Sequence, residues 1–209
     1  MASNLRSRLF ARFYDRATAR YELVMRERKR ELFQTLSGRV VEIGPGTGAN
    51  LALFPAGIQW VGIEPNEHMH PILEEKAKGL GFEVDLRALA AEKLPLENDS
   101  VDAVVSTLVL CSVPDLDSAL REIKRVLRPA GQFYFWEHVI APEGRALRTL
   151  QHILTPIHRA LADGCHANRD LGPSIREAGF SSLDLEAFRV PNAAAPAWIR
   201  PHISGVAVK

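Results

Sequence analysis

The sequence predicts an α/β fold: a mostly parallel seven-stranded sheet with helices on both faces and a helical lid at the N-terminus. Three observations predict it. Short apolar runs alternate with helix-length amphipathic segments along the chain. The first run, Val40-Val41-Glu42-Ile43, opens directly into the glycine turn Gly44-Pro45-Gly46-Thr47-Gly48. A later run, Val101 to Leu108, is apolar on both faces, as a central parallel strand is. The 209 residues suit one domain, 1–209, with a helical lid over 1–37 and a ligand-binding core over 38–209.

The elements follow in order. Leu5, Leu9, Phe13, Ala17 and Tyr21 recur every four residues, with Phe10 and Tyr14 beside them and many arginines between (Arg6, Arg8, Arg12, Arg16, Arg20). That spacing makes a basic amphipathic helix. It reads as a lid, as a helix resting on an anionic membrane, or as a transit peptide, since Met1 to Tyr14 is acid-free. The lid is preferred, because a presequence is discarded and a site in such a fold needs closure against water. Tyr21 to Leu36 continues as helix, with Glu27, Arg28, Lys29, Arg30 and Glu31 expected on a solvated face. Arg39 to Ile43 is the first strand, and Ala49 to Phe54 a short helix stopped by Pro55. Gln59 to Ile63 is the second strand, Glu67 to Lys78 a helix ended at Gly79 and Gly81, and Phe82 to Ala88 the third strand. Val101 to Leu108 is the fourth strand, Leu116 to Leu127 a helix, and Gln132 to His138 the fifth strand. Arg145 to Leu161 is helical with an interruption at Pro156, and Leu171 to Ala178 is helical up to Gly179. Leu183 to Val190 and Ser204 to Val208 are close enough to pair antiparallel.

Composition narrows the function. A net charge of +1 gives no bulk field for nucleic acid. No apolar run approaches a bilayer span, and no secretory signal is visible. Cys111 and Cys165 lack C-x-x-C spacing, so neither a zinc knuckle nor a disulfide framework is expected, and a cytoplasmic location is the simplest reading. His68, His70, His152, His158 and His166 show no ligand spacing, so no metal site is expected.

Gly44, Gly46 and Ala49 satisfy the loose dinucleotide fingerprint. Glu42 argues against a dinucleotide. A pyrophosphate needs bare amide donors and positive potential, and a carboxylate just before the turn repels it. S-adenosylmethionine (SAM) carries no phosphate and has a cationic sulfonium and ammonium, which Glu42 attracts. Glu64, ending the second strand, is placed to accept from both ribose hydroxyls. Ligands in wound sheets bind beyond the carboxyl ends of the strands. That rule collects Glu42, Gly44, Pro45, Gly46, Gly48, Asn50, Glu64, Pro65, Asn66, Ala91, Glu92, Thr107 and Leu108 as cofactor candidates, with S-adenosylhomocysteine (SAH) as product.

With these pieces placed, the chain resembles the Rossmann-like class I SAM-dependent methyltransferases. The carrying motifs are the acidic residue and G-x-G-x-G, the acid ending strand two, Ala91-Glu92-Lys93-Leu94-Pro95, and Leu120-Arg121-Glu122-Ile123-Lys124-Arg125-Val126-Leu127-Arg128-Pro129-Ala130-Gly131. Ala130 stands where Gly is common, a change expected to be harmless. More narrowly, the chain is similar to the methyltransferase-like thiol S-methyltransferases. The carrying segments here are Arg30-Glu31-Leu32-Phe33, Thr107 to Val113, Trp136-Glu137-His138-Val139, Asp163-Gly164-Cys165 and Arg200 to Lys209. Vertebrate members of that family are associated with the endoplasmic reticulum and lipid droplets and begin with a long apolar anchor, a segment this sequence does not show.

The resemblance implies methyl transfer to a small apolar acceptor, with sulfur ahead of a quinol-like or phenolic hydroxyl, carbon or lipid. A thiol asks little of the enzyme, since about a few per cent is already thiolate at neutral pH; a hydroxyl needs a base. His138, at the end of strand five, is the base candidate, with Asp163 to orient it or touch the acceptor. Phe10, Phe13, Tyr14, Cys111 and Trp136 are the acceptor-pocket candidates, with Leu108 and Trp198 alongside. Cys111 otherwise reads as a small buried hydrophobe. Nucleic-acid methylation is disfavoured, because Thr107-Leu108-Val109-Leu110 replaces the N/D-P-P-Y/F motif. A nicotinamide-dependent reductase is opposed by Glu42. A non-catalytic SAM-binding or membrane-surface protein stays open, as do peripheral membrane contact through the basic helix and the oligomeric state.

Overall fold

The computed structural model describes residues 2–209, with side chains from residue 5 onward. Seven strands form one sheet: β1 (Arg39–Ile43), β2 (Gln59–Ile63), β3 (Asp85–Arg87), β4 (Val101–Thr107), β5 (Leu127–His138), β6 (Ser182–Arg189) and β7 (Pro201–Val208). Their order is β3-β2-β1-β4-β5-β7-β6. The first five are mutually parallel, while β7 runs antiparallel between β5 and β6. The mostly parallel, doubly wound expectation therefore holds. The order reverses between β1 and β4, so the loops after these two strands part there and open a crevice.

Five helices complete the fold: α1 (Ala2–Phe33), α2 (His70–Leu80), α3 (Leu116–Val126), α4 (Ala146–Leu161) and α5 (Leu171–Glu177). Alternation along β1 sorts the two faces of the sheet. Val41 and Ile43 pack with Leu120 and Ile123 of α3 and Ile175 of α5. Val40 packs on the other face with Phe33 of α1, Trp60 and Leu73 of α2. Glu42 shares the parity of Val40, and so points to the face that α1 and α2 cover.

Several boundaries differ from expectation for local reasons. The segment after the glycine turn is a single 3-10 turn, Leu51–Leu53, too short for an α-helix before Pro55. Helix α4 runs through Pro156, which sits exposed and removes one backbone hydrogen bond without ending the helix. Strand β5 begins at Leu127 rather than 132, because Leu127 pairs with Val101 before a register irregularity. At that irregularity Ala130 takes φ 62°, the left-handed region. The exchange of Gly for Ala there is not harmless: an L-residue in that region costs roughly 1 kcal/mol.

The largest correction concerns α1. The four-residue stripe was expected to pack inward, yet Leu5, Leu9 and Phe13 are exposed, Phe13 by 54%. The inward face carries Ala11, Tyr21 and Met25, with Phe10 and Tyr14 partly covered. Lys29, expected on the solvated face, is fully buried.

Candidate active site

The three turn glycines Gly44, Gly46 and Gly48 have φ of 61°, 57° and 78°, a conformation side chains resist. A Cβ on Gly44 would also collide with Val109. The turn folds back over the end of β2, where Glu64 is buried. One Glu64 oxygen accepts from Gly46 N at 3.0 Å and the other from Asn66 N at 2.8 Å. Burial raises the Glu64 pKa, and those two amides oppose the rise. Asn66 is buried and its Nδ2 reaches Ser7 O of α1 at 3.3 Å.

Glu42 is also buried, with both oxygens engaged: Asn50 Nδ2 donates at 2.7 Å and Trp60 Nε1 at 3.0 Å. Asn50 Nδ2 further meets Thr107 Oγ1 at 3.0 Å, linking the ends of β1 and β4. Burial pushes the Glu42 carboxyl up to about 7. Lys29 reaches this network from α1. Its Nζ donates to Glu22 at 2.8 Å and 2.9 Å and to Asn50 Oδ1 at 3.4 Å. Sequence reasoning missed Lys29, and the missed signal was its place one helical turn before the buried Phe33.

Across the crevice, Leu108 takes φ 60° while its N–H still donates to Trp136 O at 2.8 Å. A non-glycine residue held there marks a loop fixed by its surroundings. The fixing group is Glu137, which the sequence reading had left without a role. Its Oε1 accepts from Ser106 Oγ at 2.6 Å and from the backbone N–H groups of Val109 and Leu110 at 3.1 Å each. The available signal was an acid inside an otherwise apolar strand, where burial demands partners.

Helix α1 closes over these ends. Asp15 accepts from the Thr47 hydroxyl, and a Cβ placed on Gly46 would lie 3.7 Å from the Tyr14 ring. Burial raises the Tyr14 pKa, with Glu22 and Glu64 adding to it, so its phenol stays neutral. A cavity of about 260 Å³ lies beside α1 and the turn, lined by Glu22, Leu23, Arg26, Ala49, Ala52 and Leu53.

The other candidates divide. Pro45 and Ala91 are buried beside the turn and after β3, whereas Pro65 is exposed. Glu92 Oε1 accepts from Asp115 N at 3.3 Å, so its carboxylate faces the start of α3. Trp136 does not line an open pocket. It is fully buried, and its Nε1 donates to the Tyr21 hydroxyl at 2.6 Å. That hydroxyl donates in turn to His202 Nε2 at 2.9 Å, because His202 Nδ1–H is committed to Arg200 O at 3.1 Å. Burial lowers the His202 pKa to about 3, which keeps that imidazole neutral. Phe13 points to solvent, under Arg12. Asp163 is exposed and makes no hydrogen bond to His138: His138 Nε2 meets Cys165 Sγ at 2.7 Å, and its Nδ1 has no partner among the described residues. Cys111 is buried next to Cys165, a meeting that linear spacing could not show.

The residues present fit SAM. Left-handed glycines allow close approach, a buried carboxylate ends β2, and a second buried carboxylate, Glu42, lies near the end of β1. Comparison with known proteins points the same way. Residues 41–135 match the family model described as a methyltransferase domain. The thiol S-methyltransferase TMT1A of Homo sapiens is 38% identical over 96% of this chain and 86% of its own length. The thiol S-methyltransferase TMT1B of Rattus norvegicus is 36% identical over 92% of this chain and 82% of its own. Among solved structures, a SAM-dependent methyltransferase from Thermotoga maritima superposes with a TM-score of 0.67 at 24% identity, covering 96% of this chain and 98% of that one. The [4+2]-cyclase SpnF also superposes at 0.67 and 24% identity, over 93% and 80%, so fold alone does not fix the chemistry. SAM is the cofactor and SAH the product. Sequence identity over nearly the whole chain, joined to this site, shows that the chain belongs to the class I SAM-dependent methyltransferases, in the family that holds the thiol S-methyltransferases TMT1A and TMT1B.

Proposed function

We propose that this methyltransferase acts on the sulfur of a small apolar thiol. The observation that carries this reading is the 38% identity to a protein named thiol S-methyltransferase, sustained over 96% of the chain. Bound SAM supplies an electrophilic methyl group on a cationic sulfur. The chain's own residues bind, orient and shield. Glu64, oriented by the Gly46 and Asn66 amides, holds the ribose hydroxyls with its remaining lone pairs. Glu42, held by Asn50 and Trp60, sets negative potential at the cationic end. The Leu108 to Cys111 loop, clamped by Glu137, fixes the acceptor side. Alignment of this kind is worth up to roughly 7–11 kcal/mol in favourable systems. Residues 1–37 act as a lid over the core 38–209, with Tyr14 and Phe10 on its inner side, and the lid excludes water.

A radiolabelled-methyl assay against a panel of thiols, phenols and amines tests the reading. Methylation of an alkyl thiol at least tenfold above any phenol or amine is expected. Transfer to phenol or carbon alone would replace it with O- or C-methylation, and cofactor binding without transfer to any acceptor would leave a non-catalytic protein.

One further observation favours a second contact. Leu5, Leu9 and Phe13 lie exposed on α1 among Arg8, Arg12 and Arg16, and Ile153, Ile157 and Leu161 lie exposed on α4. Arg6 ties the two helices by donating to Arg159 O at 2.6 Å. No helix among the described residues is long and apolar enough to cross a membrane. We infer that this basic, apolar face rests on an anionic membrane surface of a cytoplasmic compartment. Sedimentation with phosphatidylserine vesicles but not phosphatidylcholine vesicles is expected, and loss of it in Leu9→Ser/Phe13→Ser checks the assignment to α1.

A further inference from the structure

Cys111, His138 and Cys165 come from three separate segments: the loop after β4, the carboxyl end of β5 and the turn between α4 and α5. The fold nonetheless brings their Sγ, imidazole nitrogen and Sγ to within 4.8 Å of one another. His138 Nε2 lies 2.7 Å from Cys165 Sγ, which lies 3.4 Å from Cys111 Sγ. All three residues are buried, and no carboxylate joins them.

Two thiols and an imidazole are a soft donor set, suited to zinc-like cations and unsuited to magnesium or calcium. A tetrahedral zinc ion with S and N bonds of about 2.3 Å and 2.0 Å holds its ligand atoms about 3.5–3.8 Å apart. The sulfur pair needs to open by only a few tenths of an ångström, and the nitrogen–sulfur pair by roughly 1 Å, to reach those spacings. The surroundings are already fixed. Glu137 accepts from Val109 and Leu110 N–H just before Cys111. Arg169 Nη1 donates to Leu110 O and Val113 O at 2.7 Å each, bracketing Cys111 on both sides. His166 N–H donates to Cys111 O at 3.0 Å, and Cys165 N–H to Ala162 O at 2.9 Å. Outer contacts that immobilise ligand-bearing backbone are what a metal site requires. The buried His138 Nδ1 has no partner among the described residues, so the ring's polar contact is the one its Nε2 makes to Cys165.

We propose that Cys111, His138 and Cys165 bind one thiophilic divalent cation, of which zinc is the probe, and that its fourth position takes the acceptor sulfur. The second half rests on the thiol reading. Three protein ligands leave a tetrahedral ion one open place. The cluster lies at the ligand end of the sheet, three residues after Leu108 and at the carboxyl end of β5. An acceptor thiol that enters loses its S–H proton to solvent, since coordination deprotonates a thiol outright. The thiolate lone pair forms the new carbon–sulfur bond. The bond from that methyl carbon to the cofactor's sulfonium breaks, its electron pair staying on the neutral thioether. The methylated acceptor, now a weak ligand, leaves.

The test uses the full chain, reduced with a phosphine and freed of metal, titrated with Co²⁺ in the absence of SAM. Cys111 and Cys165 are the only cysteines, so a thiolate-to-cobalt charge-transfer band is assignable to them. One equivalent of Co²⁺ should give that band and tetrahedral visible bands, and Zn²⁺ should bleach both. An added alkyl thiol should shift the visible bands, and an alcohol of the same size should not. Cys165→Ser and His138→Gln, confirmed folded by circular dichroism, should each weaken Co²⁺ binding on the order of a hundredfold. Absence of the band in the wild-type chain overturns the proposal, as does a chain two hydrogens lighter by mass whose thiols, once reduced, still bind no cobalt. Visible bands indifferent to thiol overturn the acceptor half. A cobalt spectrum that responds to thiol while the methylation panel shows no thiol transfer would sink the thiol reading and leave the metal site standing.

Discussion

Two carboxylates at the strand ends carry the cofactor argument, and each makes a separate prediction. On the proposed role, Glu64 makes charged hydrogen bonds to a ribose, each worth about 1.5–3 kcal/mol. Glu64→Ala should therefore weaken SAM binding by roughly 30–100-fold in titration calorimetry. Glu64→Gln, which keeps one acceptor for Gly46 or Asn66 N–H, should lose less. Unchanged affinity in Glu64→Ala would remove this residue from the site. Glu42 predicts a pH effect. Its folded pKa of about 7 stands above the ordinary value of 4.5. Between those values the folded chain holds a proton that the unfolded chain has released. This group therefore favours folding at low pH, and its contribution falls as pH rises from 4.5 through 7. A cationic ligand prefers the ionised form, so SAM binding should release a proton below pH 7 and tighten as pH rises through it. Calorimetry in buffers of different ionisation enthalpy measures that release, and Glu42→Gln should abolish it. Both carboxylates were legible in the sequence, because each sits at a fixed offset from the glycine turn. Glu137 and Lys29 were not, because their partners are backbone groups and side chains that only the folded chain brings near.

Helix α1 was legible as a helix and misread as a surface. Its period-four stripe of Leu5, Leu9 and Phe13 suggested one face, but the sheet ends beneath it are polar: Thr47, Asn50 and Asn66. The inward face is therefore a mixed one, built from Tyr14, Asp15, Tyr21, Glu22 and Lys29. Hydrophobic periodicity assumes an apolar floor, and over an active site that assumption fails. Tyr21 tests the docking. Its hydroxyl bridges Trp136 and His202, both buried. Tyr21→Phe should strand one donor and one acceptor at a cost of about 1–3 kcal/mol. In a chain of this size that lowers Tm by roughly 2–4 °C per kcal/mol, readable by calorimetry. The same variant should raise protease sensitivity near the N-terminus if α1 lifts. Strand ends show the opposite case. Arg39–Ile43 and Gln59–Ile63 match expectation to the residue, since both are short apolar runs bounded by turn residues.

At the scale of the molecule, the wound topology was predictable from the alternation of strands and helices, and with it the end of the sheet that binds ligand. The convergence of Cys111, His138 and Cys165 was not, because sequence separations of 27 and 54 residues carry no spacing rule. A ligand that binds only the folded chain stabilises all of it. At a hundredfold excess over its Kd, SAH should add about 2.7 kcal/mol and raise Tm by several degrees. A nicotinamide dinucleotide at the same concentration should leave Tm where it was, and a shift with it would point to the dinucleotide reading instead.

The long reach of α1 also bears on how the chain is made. Tyr21 meets a partner 181 residues downstream and Arg28 one 158 residues downstream, so these two contacts form only once the last strands have been made. A chain lacking β7 therefore keeps the contacts of α1 to Thr47, Asn50 and Asn66 but loses the Tyr21 anchor to His202.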